Sequence, residues 1–281
     1  MKFKLSYFIL CYNRSDNIPT LDVLRSFNIT DNIYLVFGND DPRLGEFNDF
    51  SNCVPLIFNK SEFDDSVDAL GTYKWTKKIC TYARAFVDEY ARCNNMKYVC
   101  ILFDDIKSIR LRYVSDGVVK NVKKFNLALL LDWYVDLLNV NEHVCMIGPP
   151  GSSFYIGCTV NTLNKVATHY GNMLIYDVAK IGSSYRASVI EDMDIVLQNS
   201  MRGNIGLFPF GLQVNCRSAR TTTDAYANIS DYEYLQQWSI VTVSTVDANH
   251  LSIPYSKFIP KIVSSKFRRD SELNYENIVS D

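Results

Sequence analysis

Histidine is scarce in this chain, with three in 281 residues, and none of the eight cysteines is spaced as CxxC. Zinc fingers and knuckles need paired Cys/His ligands, so none is expected. Twelve glycines and eight prolines are too few for a linker or low-complexity protein. No G-x-G-x-x-G follows the first apolar run, and neither GxxxxGK[ST] nor G-x-S-x-G occurs. Dinucleotide, P-loop and α/β-hydrolase readings therefore lack support. No stretch approaches the roughly 18 uninterrupted apolar residues that span a bilayer. An excess of either charge is missing too: 29 basic and 31 acidic residues leave a net charge of −2. A protein held on nucleic acid by charge alone shows a basic excess. Any DNA contact must therefore use local patches, such as Lys77-Lys78, the run from Lys120 to Lys124, Arg217 with Arg220, or Arg268-Arg269. Each of these equally fits an ordinary solvated face.

What is present is a globular composition, 47% apolar and 21% charged. At roughly 150 residues per domain the length allows two small domains or one large α/β domain. Several cysteines lie inside apolar runs (FILCY, YVCIL, HVCMI) and read as small buried hydrophobes, which fits a reducing, cytoplasmic compartment. The opening MKFKLSYFILCYNR imitates a signal peptide. Its apolar stretch is short and aromatic, ends at Asn13-Arg14 and has no small-residue cleavage site, so it reads as a first strand.

Apolar runs and helical stripes alternate along the first half. Lys4 to Tyr12 reads as a strand buried on both faces. A short helix over Thr20 to Phe27 precedes a strand at Ile33 to Phe37, which runs into the turn Gly38-Asn39-Asp40-Asp41-Pro42. Val54 to Phe58 is a third strand. Trp75, Ile79, Tyr82, Ala83, Phe86, Val87 and Tyr90 form one stripe of a long helix. Tyr98 to Phe103 is a strand that stops at Asp104-Asp105. A helix carrying Leu127, Leu130, Leu131, Tyr134, Leu137 and Leu138 leads to a strand at Val144 to Ile147. Helices are expected at 160–170 and at 190–201, the latter stopped by Gly203. Beyond about residue 206, short strands and a helix at 231–238 are expected. Such alternation predicts an α/β fold with a mostly parallel sheet flanked by helices, whose ligands collect beyond the carboxyl ends of the strands. Asn13-Arg14, Asn39-Asp40-Asp41 and Asp104-Asp105 all fall at such ends.

Two adjacent carboxylates leaving a buried strand repel each other unless a cation or donor compensates. Asp104-Asp105 thus reads as a site for Mg²⁺ or Mn²⁺ with substrate phosphates, or as a turn cap. Glu191-Asp192-Met193-Asp194 reads as a general base kept ionised at a helix N-terminus, or as simple capping. Asn13, Arg14, Asn39 and Asp40 can bond a nucleobase, ribose and phosphate, although turn chemistry explains Asn39 to Pro42 equally well. His250, in a turn-like stretch, is a candidate late metal ligand; His169 reads as an ordinary helix residue.

The order CYNR, GNDD, FDDI and EDMD resembles a GT-A type glycosyltransferase. Within that class, FILCYNRSDNI, KWTKKICTYARAFV before YVCILFDDI, and VIEDMDIVLQNSMRG resemble the TET-associated glycosyltransferase family. These are mostly phage enzymes, relatives of the base J glucosyltransferases, that add sugars to hydroxymethylated pyrimidines in DNA. The likeness covers roughly residues 5–210. It implies a GT-A-like core over 1–210, with a nucleotide-sugar half (1–115) and an acceptor half (116–210), and a mixed C-terminal lobe over 211–281. It implies a nucleotide-sugar donor, UDP-linked, a DNA acceptor, Mn²⁺ or Mg²⁺, and no membrane. Phe103 stands where the first Asp of a DxD motif would be, which makes Asp105 the principal metal ligand and Asp104 its assistant. Tyr12, Asn13, Arg14, Asn39, Asp40, Lys78, Arg84 and Asp104 would face the donor, with Lys74 and Lys77 adding charge. Asp192 would be the base of an inverting transfer, with Glu191 orienting the sugar or acceptor. Phe154 and Tyr155 would stack on a base, and Arg217 and Arg220 would meet phosphates. The alternatives are a polysaccharide, lipid or protein acceptor on the same fold, or a catalytically silent nucleotide-binding module.

Overall fold

The computed structural model describes residues 3–14, 17–44, 50–67, 80–149, 170–182, 184–186 and 191–216. They form a seven-stranded sheet and a separate three-stranded sheet. The large sheet has the order β3-β2-β1-β4-β8-β7-β9, built from β1 (Leu5–Cys11), β2 (Ile33–Gly38), β3 (Cys53–Phe58), β4 (Tyr98–Phe103), β7 (Val144–Ile147), β8 (Met173–Asp177) and β9 (Ile205–Leu207). β1 pairs in parallel with both β2 and β4, and β2 with β3. β8 alone is reversed, antiparallel to β4 and to β7, while β9 runs parallel to β7. The small sheet, β10-β5-β6, is antiparallel and joins β5 (Ile106–Ser115), β6 (Val118–Val122) and β10 (Leu212–Cys216).

Side-chain alternation on β1 shows why both faces are covered. Leu5, Tyr7, Ile9 and Cys11 enter one apolar cluster, with Leu21 and Leu24 of helix α1 (Pro19–Ser26) and Leu127 to Leu138 of helix α3 (Leu127–Val140). Phe8 and Leu10 enter the other, with Tyr82, Val87 and Ala91 of helix α2 (Cys80–Cys93) and Ile195 and Val196 of helix α4 (Glu191–Met201). A run apolar on both sides is what a strand between two helical layers requires. The small sheet packs on the α1/α3 side through Ile109, Leu111, Leu212 and Val214.

Local chemistry sets the helix ends. Pro19 opens α1 with Asp22 in its first turn and Arg25 in its last. Asn126 caps α3, its side chain accepting from Leu129 N at 3.0 Å. Gly203, at φ 82°, follows the end of α4. The expected strands at 4–12, 33–37, 54–58, 98–103 and 144–147 and the helices at 20–27, 127–138 and 190–201 are present within a residue or two. β8 and the β5–β6 hairpin were not expected. The expected helices at 160–170 and 231–238 lie wholly or almost wholly outside the described residues.

Candidate functional site at the strand ends

β1 lies where the strand order turns back, between β2 and β4. Open α/β sheets bind ligands in the crevice outside such a point, at the carboxyl ends of the strands. Here the chain leaves β1 as Tyr12-Asn13-Arg14, with Asn13 in the left-handed region at φ 54°, which asparagine tolerates better than most residues. The exit is stitched from both sides by carboxylates of the neighbouring strands. Asn13 N–H donates to Asp41 Oδ2 at 2.9 Å, and Asp41 Oδ1 accepts from Arg43 N at 3.0 Å. On the β4 side, Tyr12 N–H and Arg14 Nε donate to Asp104 Oδ2 at 3.3 and 3.0 Å.

Asp104 and Asp105 form the turn between β4 and β5, and α1 pins that turn. The Thr20 hydroxyl donates to the Phe103 carbonyl and accepts from Ile106 N at 2.9 Å, while Thr20 N–H donates to the Asp104 carbonyl at 3.3 Å. Burial pushes the Asp104 carboxyl up from its ordinary range, and the Arg14 guanidinium offsets part of that. Burial would lower Arg14, but Asp104 and then Asp105 outweigh it and hold the guanidinium charged. Burial, followed by the nearby Asp105 carboxylate, raises the Cys216 thiol at the end of β10.

At the exit of β2, Asp40 pairs with Lys60 at 2.9 Å, and the Lys60 ammonium lies 5.8 Å from the centre of the Tyr12 ring. Asn39 donates to Asn59 Oδ1 at 3.0 Å and accepts from Lys60 N at 3.2 Å. The pair crowds the strand end: a Cβ on Gly38 would sit 2.7 Å from Asp40 Oδ1 and 2.8 Å from Lys60 Cε.

The second acidic cluster opens α4. Of its three carboxylates, Asp194 is 1% exposed and is held by Arg186 through two contacts of 3.1 Å and by Gln198 at 2.6 Å. Glu191 Oε1 accepts from Cys80 Sγ at 3.0 Å and lies 3.6 Å from Arg84 Nε. Asp192 is half-buried, and its charge helps raise the Tyr170 phenol, after burial and against the pull of Arg84.

Arg84 connects the two clusters. Its guanidinium, on a residue only 2% exposed, donates to the Tyr170 hydroxyl and lies 5.1 to 5.6 Å from the ring centres of Tyr170, Phe103 and Tyr185. Phe103 is the residue before Asp104, so one cation touches both the end of β4 and the start of α4. Arg84, expected among the donor-facing cations, lies beside Glu191 inside an aromatic cage.

The structure thus brings Tyr12, Asn13, Arg14 and Asp104 together, places Asn39 and Asp40 on the adjoining strand end, and links Asp104 to Glu191 through Phe103 and Arg84. Lys74, Lys77, Lys78, Phe154, Tyr155, Arg217, Arg220 and His250 lie outside the described residues. Sequence reading gave no role to Lys60, Cys80 or Cys216, and named Asp41 without a partner. Lys60 was reachable, because it stands at the end of β3 as the other polar groups stand at theirs; the two thiols carry no such signal. Among the described residues there is no cluster of three or more His, Cys, Asp or Glu side chains with metal-binding proximity. No helix among them is long and apolar enough to cross a membrane.

A mostly parallel sheet with one reversed strand, a small antiparallel sheet beside it and acidic groups at the central strand end make an α/β fold with a candidate site at its switch point. The sequence profile described as TET-Associated Glycosyltransferase matches residues 6–208. The chain belongs to that family. No curated protein sequence matches it. Among solved structures it is similar to a mannosyltransferase from Pyrobaculum calidifontis in complex with GDP-Man and Mn²⁺, at 13% identity and a TM-score of 0.43, over 73% of this chain. That match spans 54% of the mannosyltransferase, about half its length. It is also similar to a cytidylyltransferase from Leptospira borgpetersenii serovar Hardjo-bovis, at 13% identity and a TM-score of 0.41, over 91% of this chain and 92% of the other.

Proposed function

We propose that the protein moves a sugar from a nucleoside diphosphate, a UDP-sugar, to the hydroxyl of a hydroxymethylated pyrimidine in DNA. The observation that carries this reading is the contact chain from Asp104 through Phe103 and Arg84 to Glu191. It ties a donor-type strand end to a base-type helix start. Tyr12, Asn13, Arg14, Asn39 and Asp40 are the donor-side groups, with Lys78, two residues before α2 in the sequence, as a further one. Arg14 spends Nε on Asp104 and has further N–H donors for phosphate oxygens.

A hard divalent cation fits the Asp104-Asp105 turn. Arg14 offsets one of two adjacent carboxylates, so a negative charge remains, and Mg²⁺ or Mn²⁺ commonly takes one or two carboxylates with substrate phosphates completing its shell. Asp105 would be the main protein ligand, with Asp104 assisting and His250 a further candidate. Such a cation, when bound, neutralises charge on the departing diphosphate.

Transfer is a single displacement. The acceptor oxygen forms a bond to the anomeric carbon as the bond from that carbon to the diphosphate oxygen breaks, and the acceptor proton passes to Asp192. Glu191, held by Cys80 and Arg84, fixes the start of α4 and so the place of Asp192. Phe154 and Tyr155 would stack on the acceptor base, and Arg217 and Arg220 would contact its backbone. The net charge of −2 favours the second reading, a polysaccharide, lipid or protein acceptor on the same fold.

Incubation with radiolabelled UDP-sugars, Mn²⁺ and hydroxymethylcytosine DNA tests the choice. Label on the DNA is expected. Label on a glycan and none on DNA would end the DNA reading, and absence of any donor turnover with Mn²⁺ would point to the silent nucleotide-binding module.

A further inference from the structure

Tyr170 is a buried titratable group that the transfer described above does not use. Its backbone is fixed beside the end of β7. Gly171 N–H donates to the Pro149 carbonyl at 2.7 Å, and a Cβ on Gly148 would sit 2.8 Å from Tyr170 Cβ. The side chain is wholly buried; its hydroxyl accepts from Arg84 Nη1 and lies 3.4 Å from the Tyr185 hydroxyl. Burial raises both phenols, so they stay neutral and leave Glu191 as the carboxylate that meets the Arg84 charge.

That ion pair is incomplete. Arg84 Nε lies 3.6 Å from Glu191 Oε1, and this buried nitrogen has no hydrogen-bond partner among the described residues. A guanidinium and a carboxylate with no other constraint close into a bidentate pair with two parallel N–H···O bonds. Here the guanidinium is held from the other side. Nη1 is taken by the Tyr170 hydroxyl, and the rings of Phe103, Tyr170 and Tyr185 lie 5.1 to 5.6 Å from its carbon. Among the described residues both contacts of Glu191, with Cys80 and with Arg84, fall on Oε1.

We propose that Tyr170 is a positioning residue for sugar transfer: it holds Arg84 short of a closed pair with Glu191 and so keeps Glu191 Oε2 open to the sugar or acceptor. The inference rests on the reading of Glu191 and Asp192 as the acceptor-side pair. Tyr170 acts through Arg84 and touches no reacting atom. Without the hydroxyl, Nη1 is a buried donor lacking its acceptor, and turning towards Glu191 satisfies it. Glu191 is then bound through both oxygens and lost to the substrate, while Arg14 and Asp104 keep each other as partners.

The test measures initial rates of labelled-sugar transfer, and affinity for uridine diphosphate with Mn²⁺, for the full chain as wild type, Tyr170→Phe, Glu191→Gln and the double variant. Tyr170→Phe should lower kcat by about ten- to a hundredfold and leave the nucleotide Kd unchanged, since a misplaced group costs rate without removing donor contacts. In the Glu191→Gln background the same change should cost less than about twofold, because residues acting as one unit are not additive. Tyr185→Phe removes the neighbouring hydroxyl and keeps the test open if Tyr170→Phe fails to fold. It should give a smaller loss of the same kind, again cancelled by Glu191→Gln. Full rate in a folded Tyr170→Phe, when Glu191→Gln is impaired, overturns the role of Tyr170 alone. Losses that add in the double variant overturn it too and assign the phenol to packing; so does a loss that appears in the nucleotide Kd. Full rate in Glu191→Gln, or a wild type that transfers sugar to neither hydroxymethylcytosine DNA nor a glycan, overturns the reading of the α4 start together with this one.

Discussion

Arg84 is the residue on which the site's internal order most depends. Its charge is compensated by Glu191 at 3.6 Å and its faces by three aromatic rings. Removing one partner of a buried ion pair typically costs about 3–5 kcal/mol, because the other charge stays buried alone. Arg84→Met should therefore lower the urea midpoint steeply. Arg84→Lys keeps the charge but loses the planar guanidinium that lies against the rings, so it should recover only part of the stability. Equal stability of all three proteins would contradict this account. Asp192→Asn should spare donor binding and slow transfer by about three decades, within the range of general-base catalysis. Near-normal turnover in that variant would make the base assignment wrong. Asp88, on α2, offers a pH signature away from the chemistry. Burial raises its carboxyl above the ordinary value, and Arg92 at 3.1 Å offsets only part of that. A raised carboxyl binds its proton more tightly folded than unfolded. Its contribution to stability is therefore present below the ordinary aspartate value and is lost as pH rises through the folded one. The stability of wild type relative to Asp88→Asn should fall as pH rises above the ordinary aspartate value; a rise there would refute the sign.

At the scale of elements, the decisive junction is α1 against the β4–β5 turn. Thr20, 1% exposed, both donates to Phe103 O and accepts from Ile106 N. Thr20→Val leaves both backbone groups unsatisfied and should cost about 2 kcal/mol, with weaker donor binding as the Asp104-Asp105 turn loosens. Thr20→Ser should restore both, which denaturation and nucleotide titration would register. These elements also mark what the sequence made readable. β1 and β4 are apolar on both faces and β2 nearly so, and α3 carries a regular stripe, so each stands out by its pattern alone. β8 is a five-residue buried run without alternation, and so short an apolar run does not distinguish strand from helix. The β5–β6 hairpin turns at Asp116-Gly117, both at positive φ, a strong turn pair legible in the sequence. The strand-end rule alone places Asn13, Arg14 and Asp104 at neighbouring strand ends. It did not reveal that Asp104 is bound to Arg14, because partners 90 residues apart are fixed by strand pairing rather than by local sequence.

For the molecule as a whole, the two acidic clusters belong to different elements, the end of β4 and the start of α4, and Arg84 of α2 joins them. The end of β4 and the start of α4 are therefore coupled by packing, not by a shared loop. The account's central claim is that one cleft holds a diphosphate at Asp105 and Arg14 and also receives the alcohol at Asp192. The most direct measurement is a crystal structure of the Asp192→Asn variant soaked with uridine diphosphate and Mn²⁺. The account predicts the diphosphate and cation at the end of β4, between Arg14 and Asp105, with residue 192 lining the same hollow. A nucleotide bound elsewhere, or residue 192 on a face separate from the diphosphate, would contradict it.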